Sequence, residues 1–285
     1  MRESEASAKE GWEGEAKHDP NSSTFLCACF ARRYERSGKL VDAELRSEFL
    51  GPPSEFQEDQ QQVVERCLKL EADTNAEGGL PWIKLKSPAL VDEWIQHVET
   101  GGQRSIATGK GECVIDAPAL DAVAWYFMVD GRKGLRASAE KGDPARVILS
   151  KPSVNDITWA VVKRAPFPLH NREYVARQIC FKDNRGRLVV AFEPPREDIV
   201  VDYGRRMNLV RGTATGFARF TPIAGNTQCK LEVYQQVDAG GRVPVRVVNS
   251  KVSESLSWAA DMREQFQRDD DVDKIGRGSL ANIIR

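Results

Sequence analysis

The chain has no surplus charge, few histidines, no paired-cysteine motif and no long apolar run, and each absence removes a class of function. Across 285 residues, 41 Lys and Arg stand against 42 Asp and Glu, for a formal charge of −1. A nucleic-acid groove needs a basic surplus on one face, so no nucleic-acid partner is expected. The six cysteines are Cys27, Cys29, Cys67, Cys113, Cys180 and Cys229, with no C-x-x-C pair and no His-linked spacing among them. They read as reduced thiols filling core space in a cytoplasmic compartment, and neither a metal nor another cofactor is expected. His18, His97 and His170 have no carboxylate or thiol partner in local spacing. Neither G-x-S-x-G nor G-x-x-x-x-G-K-[ST] occurs, and no acids pair at strand ends, so no catalytic residue is assigned and the chain is not read as an enzyme. The apolar run Phe25–Ala31 is far too short to span a bilayer, and no basic-then-apolar leader is present. A soluble chain that touches membranes only transiently is expected.

What is present is a clear succession of patterns. Residues 1–23 are acidic, small and polar without hydrophobic period, and read as a disordered tail. Residues 24–53 hold two short helix-prone pieces separated by Gly38, with Leu40, Val41, Leu45 and Phe49 in the second. They suit an upstream domain's tail, an added N-terminal helix pair or a segment that docks a protein partner, and added helices are the reading adopted. Gly51-Pro52-Pro53 breaks that piece, and Ser54-Glu55-Phe56-Gln57 has capping-box form. A helix to about Glu71 follows, with Phe56, Val63, Cys67 and Leu70 on one face.

Trp82–Lys86, Val91–Val98 and Arg104–Ile115 suit strands of an antiparallel meander. Asp116 and Pro118 open a short helix whose stripe is Leu120, Val123, Ala124 and Phe127. Residues 130–143, rich in Gly, Lys and Arg, read as loop. Strand signals resume at Ile157–Lys163, Glu173–Phe181, Leu188–Phe192, Leu209–Phe220 and Gln228–Val237. In the last, Cys229, Leu231, Val233 and Val237 alternate with polar residues, so one face is buried. Asn249-Ser250 caps a final helix to about Arg268, with a stripe of Val252, Leu256, Ala259, Met262 and Phe266. Residues 269–285 read as linker or tail. Many antiparallel strands ending in one amphipathic helix make an α+β pattern, the helix lying on the sheet's concave face.

One motif set is denser than this patterning. It begins with Pro166-Phe167-Pro168-Leu169-His170-Asn171-Arg172-Glu173-Tyr174-Val175. Val210-Arg211-Gly212, Phe217, Thr221-Pro222, Thr227, Tyr234, Asp238, Gly240-Gly241, Val243-Pro244 and Asn249 follow. This spacing resembles the START family of lipid transfer domains over residues 54–268, most closely from Asn155 onward. The resemblance implies a helix-grip fold, a curved antiparallel sheet wrapped around a long C-terminal helix, here with added N-terminal helices. It also implies non-catalytic binding of one lipid, of sterol or phospholipid and sphingolipid class, in an internal apolar cavity, with transfer between membranes. A lipid-sensing module of a larger protein and a cyclase-like enzyme on the same superfold are its alternatives. In the family a helix usually falls near residues 130–143, which this stretch matches poorly.

The resemblance also distributes roles. Sixteen methylenes at ~0.8 kcal/mol each give on the order of 12 kcal/mol of burial, nearly the same in a cavity as in a membrane, so polar contacts must set specificity. In the family a basic residue often follows the motif Arg by six positions; here that position is Gln178, and Arg177 precedes it. Strand alternation sends the two to opposite faces. In the family register Tyr174, Ala176, Gln178 and Cys180 face the cavity; after a bulge, Val175, Arg177, Ile179 and Phe181 would. A neutral Gln178 suits a hydroxyl, ester or sterol, whereas Arg177 suits an anionic head group. Ala214, among the small residues of Leu209–Phe220, together with Val233, Val252, Leu256, Ala259 and Phe266, completes the expected lipid contacts. Arg172 and Arg211 are read as structural. The turn with Lys182, Arg185 and Arg187 is expected to act as a lid at the membrane surface, and Trp258 to sit at the cavity mouth or membrane interface.

Overall fold

Alternation of buried and polar residues builds one large sheet here, and each of its faces is covered by helices. The computed structural model describes residues 56–76, 80–100, 103–166 and 169–284. The expectations for 1–23 and 24–53, with the partner segment proposed there, lie outside the described residues, as do Ser54, Glu55, Phe167 and Pro168.

Among the described residues, α1 (Glu58–Thr74) leads into β1 (Ile83–Lys84), β2 (Val91–Gln96), β3 (Glu99–Thr100), β4 (Gln103–Arg104) and β5 (Thr108–Ile115). Two helices, α2 (Ala119–Phe127) and α3 (Arg132–Glu140), precede β6 (Ala145–Ser153), β7 (Asp156–Lys163), β8 (Asn171–Lys182), β9 (Leu188–Glu193), β10 (Leu209–Ile223) and β11 (Gln228–Asp238). The chain ends in α4 (Val245–Asn249), α5 (Val252–Leu256), α6 (Trp258–Gln265) and α7 (Asp269–Ile284). The main sheet has nine strands in the order β1-β2-β5-β11-β10-β9-β8-β7-β6. Its pairings are antiparallel except where β10 also runs parallel to the start of β8, Leu209 to Gly212 against Asn171 to Tyr174.

The inner face carries Val91, Ile95, Cys113, Ile115, Ile157, Cys180, Leu188, Val190, Ala218, Phe220, Leu231 and Val233, packed with α2 and the terminal helices. The outer face carries Ile179, Phe181, Val189, Ala191, Phe217 and Tyr234 beneath Val63, Val64 and Cys67 of α1. The expected α1 stripe is correct in phase, and Phe56 and Leu70 flank it half-buried. A capping interaction starts the helix, with the Gln57 N–H donating to Gln60 Oε1 at 3.2 Å. It is formed by glutamines three residues beyond the expected box.

Several expectations need correction. The residues read as loop between 130 and 143 contain α3, and β6 follows it unannounced. In α2 the buried face is Ala119, Ala122, Val123 and Phe127, while Leu120 is exposed, so the stripe starts one residue earlier than expected. Alanines on that face let the helix lie close to the sheet. The terminal helix begins at Val245 after Pro244, not at Asn249, and is segmented at Lys251 and Ser257. Asn249 caps a strand approach instead: its Oδ1 accepts from the Ala107 N–H at 2.9 Å and its Nδ2 donates to the Ser105 carbonyl at 3.2 Å. The stretch read as linker from 269 onward is the helix α7, with Ile275 and Ile283 exposed. Among the described residues no helix is long and apolar enough to cross a membrane.

Candidate site on the inner face of the sheet

The register of β8 decides which side chains face inward. Cys180 belongs to the inner core and Ile179 to the outer one, so Tyr174, Ala176 and Gln178 point inward with Cys180. Arg177 points outward, and its expected lipid contact is corrected. Its Nε and Nη2 donate to Asp156 at 3.0 and 2.5 Å, and its Nη1 lies 2.7 Å from Asp59 on α1. Gln60 Nε2 donates to Asp156 as well, at 3.0 Å. The Asp156 carboxylate is 1% exposed, and two anions around one guanidinium raise the Arg177 pKa. Arg177 is a clamp for α1.

The inner face divides into two regions. Over β2, β5 and β11 the terminal helices lie in direct contact with the sheet. Gly109 and Gly111 allow that approach: a Cβ on Gly109 would stand 2.7 Å from Val252 Cγ1, and one on Gly111 3.5 Å from Leu256 Cδ2. Val233, Val252, Leu256 and Ala259 are all buried in this seam, so these four expected lipid contacts are helix-to-sheet packing. Among the small residues of β10, Gly212 gives way to the Tyr174 ring, 2.5 Å from where its Cβ would be. Glu93 lies in the seam too, 1% exposed, accepting from Ser253 Oγ, and burial raises its pKa.

Over β6, β7 and β8 the inner face is different in character. Pairings Arg146–Val161, Ile148–Trp159, Trp159–Ala176, Val161–Tyr174 and Ile157–Gln178 set these side chains side by side. Val161, Ala176 and Gln178 are buried, while Arg146, Trp159 and Tyr174 are half-buried. Ala214 of β10 also faces inward, half-buried. The Arg146 guanidinium carbon lies 5.1 Å from the centre of the Trp159 ring, a cation–π contact. Arg146 Nε, Trp159 Nε1 and Gln178 Oε1 are buried and have no hydrogen-bond partner among the described residues. Burial pulls the Arg146 pKa down, opposed chiefly by the charge of Asp143. Arg146 and Trp159 were missed in the sequence, Arg146 because β6 was missed; the β-branched run Val147-Ile148 was the available signal.

The remaining expected site residues fall in other places. Trp258 is half-buried and packs inward, 4.4 Å between ring centroids from Tyr126, which also packs on Phe220 at 6.1 Å. Phe266 meets Trp125 at 6.4 Å beyond the end of α6. In the β8–β9 turn, Asp183 Oδ1 accepts from the Arg185 and Arg187 N–H groups, both at 2.9 Å, and Oδ2 accepts from Arg187 Nε at 2.7 Å. Arg187 is thus tied into the turn, whereas Lys182 and Arg185 are exposed. Arg172 donates to the His170 carbonyl, and Arg211 Nε donates to Glu173 at 2.7 Å, the structural roles expected for both. A cavity of about 190 Å³ lies on the outer side of β8 and β10, lined by Val175, Arg211, Thr213 and residues 194–198. That is below the ~300 Å³ of small-molecule sites.

Burial pushes the thiols of Cys67, Cys113 and Cys229 up to about 12 and raises that of Cys180, so all four stay protonated at neutral pH. Among the described residues no group of His, Cys, Asp and Glu is placed to hold a metal ion.

No family model and no curated protein matches the chain. Solved structures do. Human STARD10 is 18% identical, over 70% of this chain and 78% of that one, with a TM-score of 0.54. A STAR-related lipid transfer protein fragment from Xanthomonas axonopodis is 20% identical, over 66% of this chain and 99% of that one, also at 0.54. Human StAR-related lipid transfer protein 5 is 15% identical, over 73% and 97%, at 0.53. The chain has the START-like helix-grip fold.

Proposed function

We propose that this chain binds one lipid on the inner face of its sheet, against β6, β7 and β8, and moves it between membranes without altering it. The observation that carries the reading is the set of polar atoms there, Trp159 Nε1 and Gln178 Oε1, unpartnered among apolar neighbours such as Val161 and Ala176 on a START-like sheet. An acyl chain needs only apolar area, and a head group needs a few fixed polar atoms at one end. Two of the proteins of like fold named above are lipid transfer proteins by name, which supports the assignment.

The route in and out is assigned to the terminal helices. Their breaks at Lys251 and Ser257 divide the element into short segments that can lift separately from β5. Lys182 and Arg185 are the cations left for transient contact with an anionic membrane surface. A second reading, a lipid sensor that exchanges its ligand slowly, is favoured by the internal bonding of the β8–β9 turn through Asp183, which stiffens the segment expected to act as the lid. Vesicle-to-vesicle transfer of labelled lipid at substoichiometric protein tests the proposal. Transfer with the lipid's mass unchanged supports carriage, binding with slow transfer supports sensing, and a changed mass overturns the non-catalytic reading.

A further inference from the structure

We propose that the bound lipid is acidic, with an oxyanion head group taken by Arg146 and Trp159 and a hydroxyl on the same head group donating to Gln178 Oε1. This rests on the lipid-binding reading and names the ligand class that reading leaves open.

Arg146 sits on β6 opposite Val161, on the face that carries Trp159 and Gln178, and on three adjacent strands these residues form one patch. Among the described residues no carboxylate lies within ion-pairing distance of its guanidinium, and its Nε is buried without a partner. Arginines on the outer face are treated otherwise: Arg66 with Glu193, Arg177 with Asp156 and Asp59, Arg211 with Glu173, and Arg219 with Glu71 each form an ion pair. Arg146 is a half-buried cation with no ion-pair partner, opposed only by the more distant charge of Asp143, which Lys163 already engages, so an anion from the ligand is the compensation this site is built to accept. Trp159 covers the guanidinium face and leaves its edge, the geometry that grips an oxyanion with parallel N–H bonds.

The other two atoms complete the chemistry. An indole N–H only donates, so Trp159 Nε1 adds a second donor for the oxyanion. An amide oxygen only accepts, so Gln178 Oε1 asks for a hydroxyl or N–H on the head group. A sterol brings one hydroxyl and no charge, and leaves Arg146 without an ion-pair partner.

The test measures binding by the full chain of 1-oleoyl lysophosphatidic acid, oleic acid, monooleoylglycerol and inorganic phosphate. Lysophosphatidic acid has both groups, oleic acid only the oxyanion, and monooleoylglycerol only hydroxyls. Lysophosphatidic acid is expected to bind about tenfold or more tighter than monooleoylglycerol, with oleic acid between, and phosphate alone not at all at millimolar concentration. Arg146→Met brings lysophosphatidic acid down to the level of monooleoylglycerol, whose unchanged binding shows the variant folded; Arg146→Lys retains part of the preference. Equal binding of the two lipids by the parent, or an undiminished preference in Arg146→Met, overturns the inference while leaving lipid binding intact. Tight, Arg146-dependent binding of phosphate alone overturns a lipid as the source of the oxyanion. Failure of all three lipids to bind the parent overturns the lipid-binding reading itself.

Discussion

Residues 177 and 178 are neighbours on one strand, and they have opposite fates. Outward, Arg177 meets Asp156 and Asp59, and the same face seats Arg66 on Glu193 and Arg219 on Glu71. Three ion pairs thereby fasten α1 along its length to the sheet over an apolar strip of Ile179, Phe181 and Phe217. Inward, Gln178 stands near Trp159 and Arg146 with buried polar atoms that no partner among the described residues satisfies. A strand whose one face is closed by internal partners and whose other face holds polar atoms in reserve separates stability from binding. Substitutions outward should cost folding, and substitutions inward should cost affinity.

Arg177→Leu breaks the comparison most severely if it is wrong. Among the described residues it leaves the 1%-exposed Asp156 carboxylate with only Gln60 as side-chain partner, and should cost about 3–5 kcal/mol in urea unfolding. Lipid binding per folded molecule should be unchanged; a loss of affinity at full folding would return Arg177 to the binding site. Next comes Gly109→Ala, which places a methyl 2.7 Å from Val252 and should cost about 1–3 kcal/mol by the same measurement, with faster lipid exchange as the terminal helices loosen. No change in either would show that the seam is slack.

Gln178→Leu should be the reverse of Arg177→Leu. Removing an unpartnered buried oxygen should leave stability level or slightly raised, while affinity for polar-headed lipids falls about three- to tenfold in a competition assay. The smallest effect is that of pH. Hydrogen bonds from Arg177 and Arg219 hold the Asp59 and Glu71 carboxyls below their ordinary values. Their contribution is complete above the normal carboxylate range and fades as pH falls through the lowered folded values. Asp59 is half exposed, so the loss should be under about 1 kcal/mol. Glu93, raised by burial, has the opposite sign: the fold gains as pH falls through its raised value, since the neutral acid suits the seam. Urea midpoints between pH 7 and pH 4 should therefore fall more in Glu93→Gln than in the parent chain.

Much of the fold was readable because burial on a given face enforces period two. The five strands from Ile157 to Val237 were placed within a few residues, and the phase of Gln228–Asp238 follows from Cys229, Leu231 and Val233. The misses have local causes. β6 is an edge strand with half-buried or exposed residues, two register shifts and Pro152, so it lacks alternation. Gly131 and Gly134 hid α3, and Gly276 and Gly278 hid α7. Of the site, Gln178 was legible from strand parity joined to the motif before it. Arg146 was not, since it belongs to the strand that could not be seen, and its nearness to Trp159 exists only through the β6–β7 pairing. The choice between Gln178 and Arg177, open in the sequence, was closed by Asp156, whose partner in the sheet is Ile179.

The most direct measurement is residue-level mapping of a photoactivatable, acyl-labelled lipid crosslinked to the full chain. The account predicts label on inward residues of β7 and β8, Trp159 and Ala176 foremost, and its loss on competition with unlabelled lipid. Label confined to the outer face, at Val175 or at Val63 and Cys67 of α1, would contradict it.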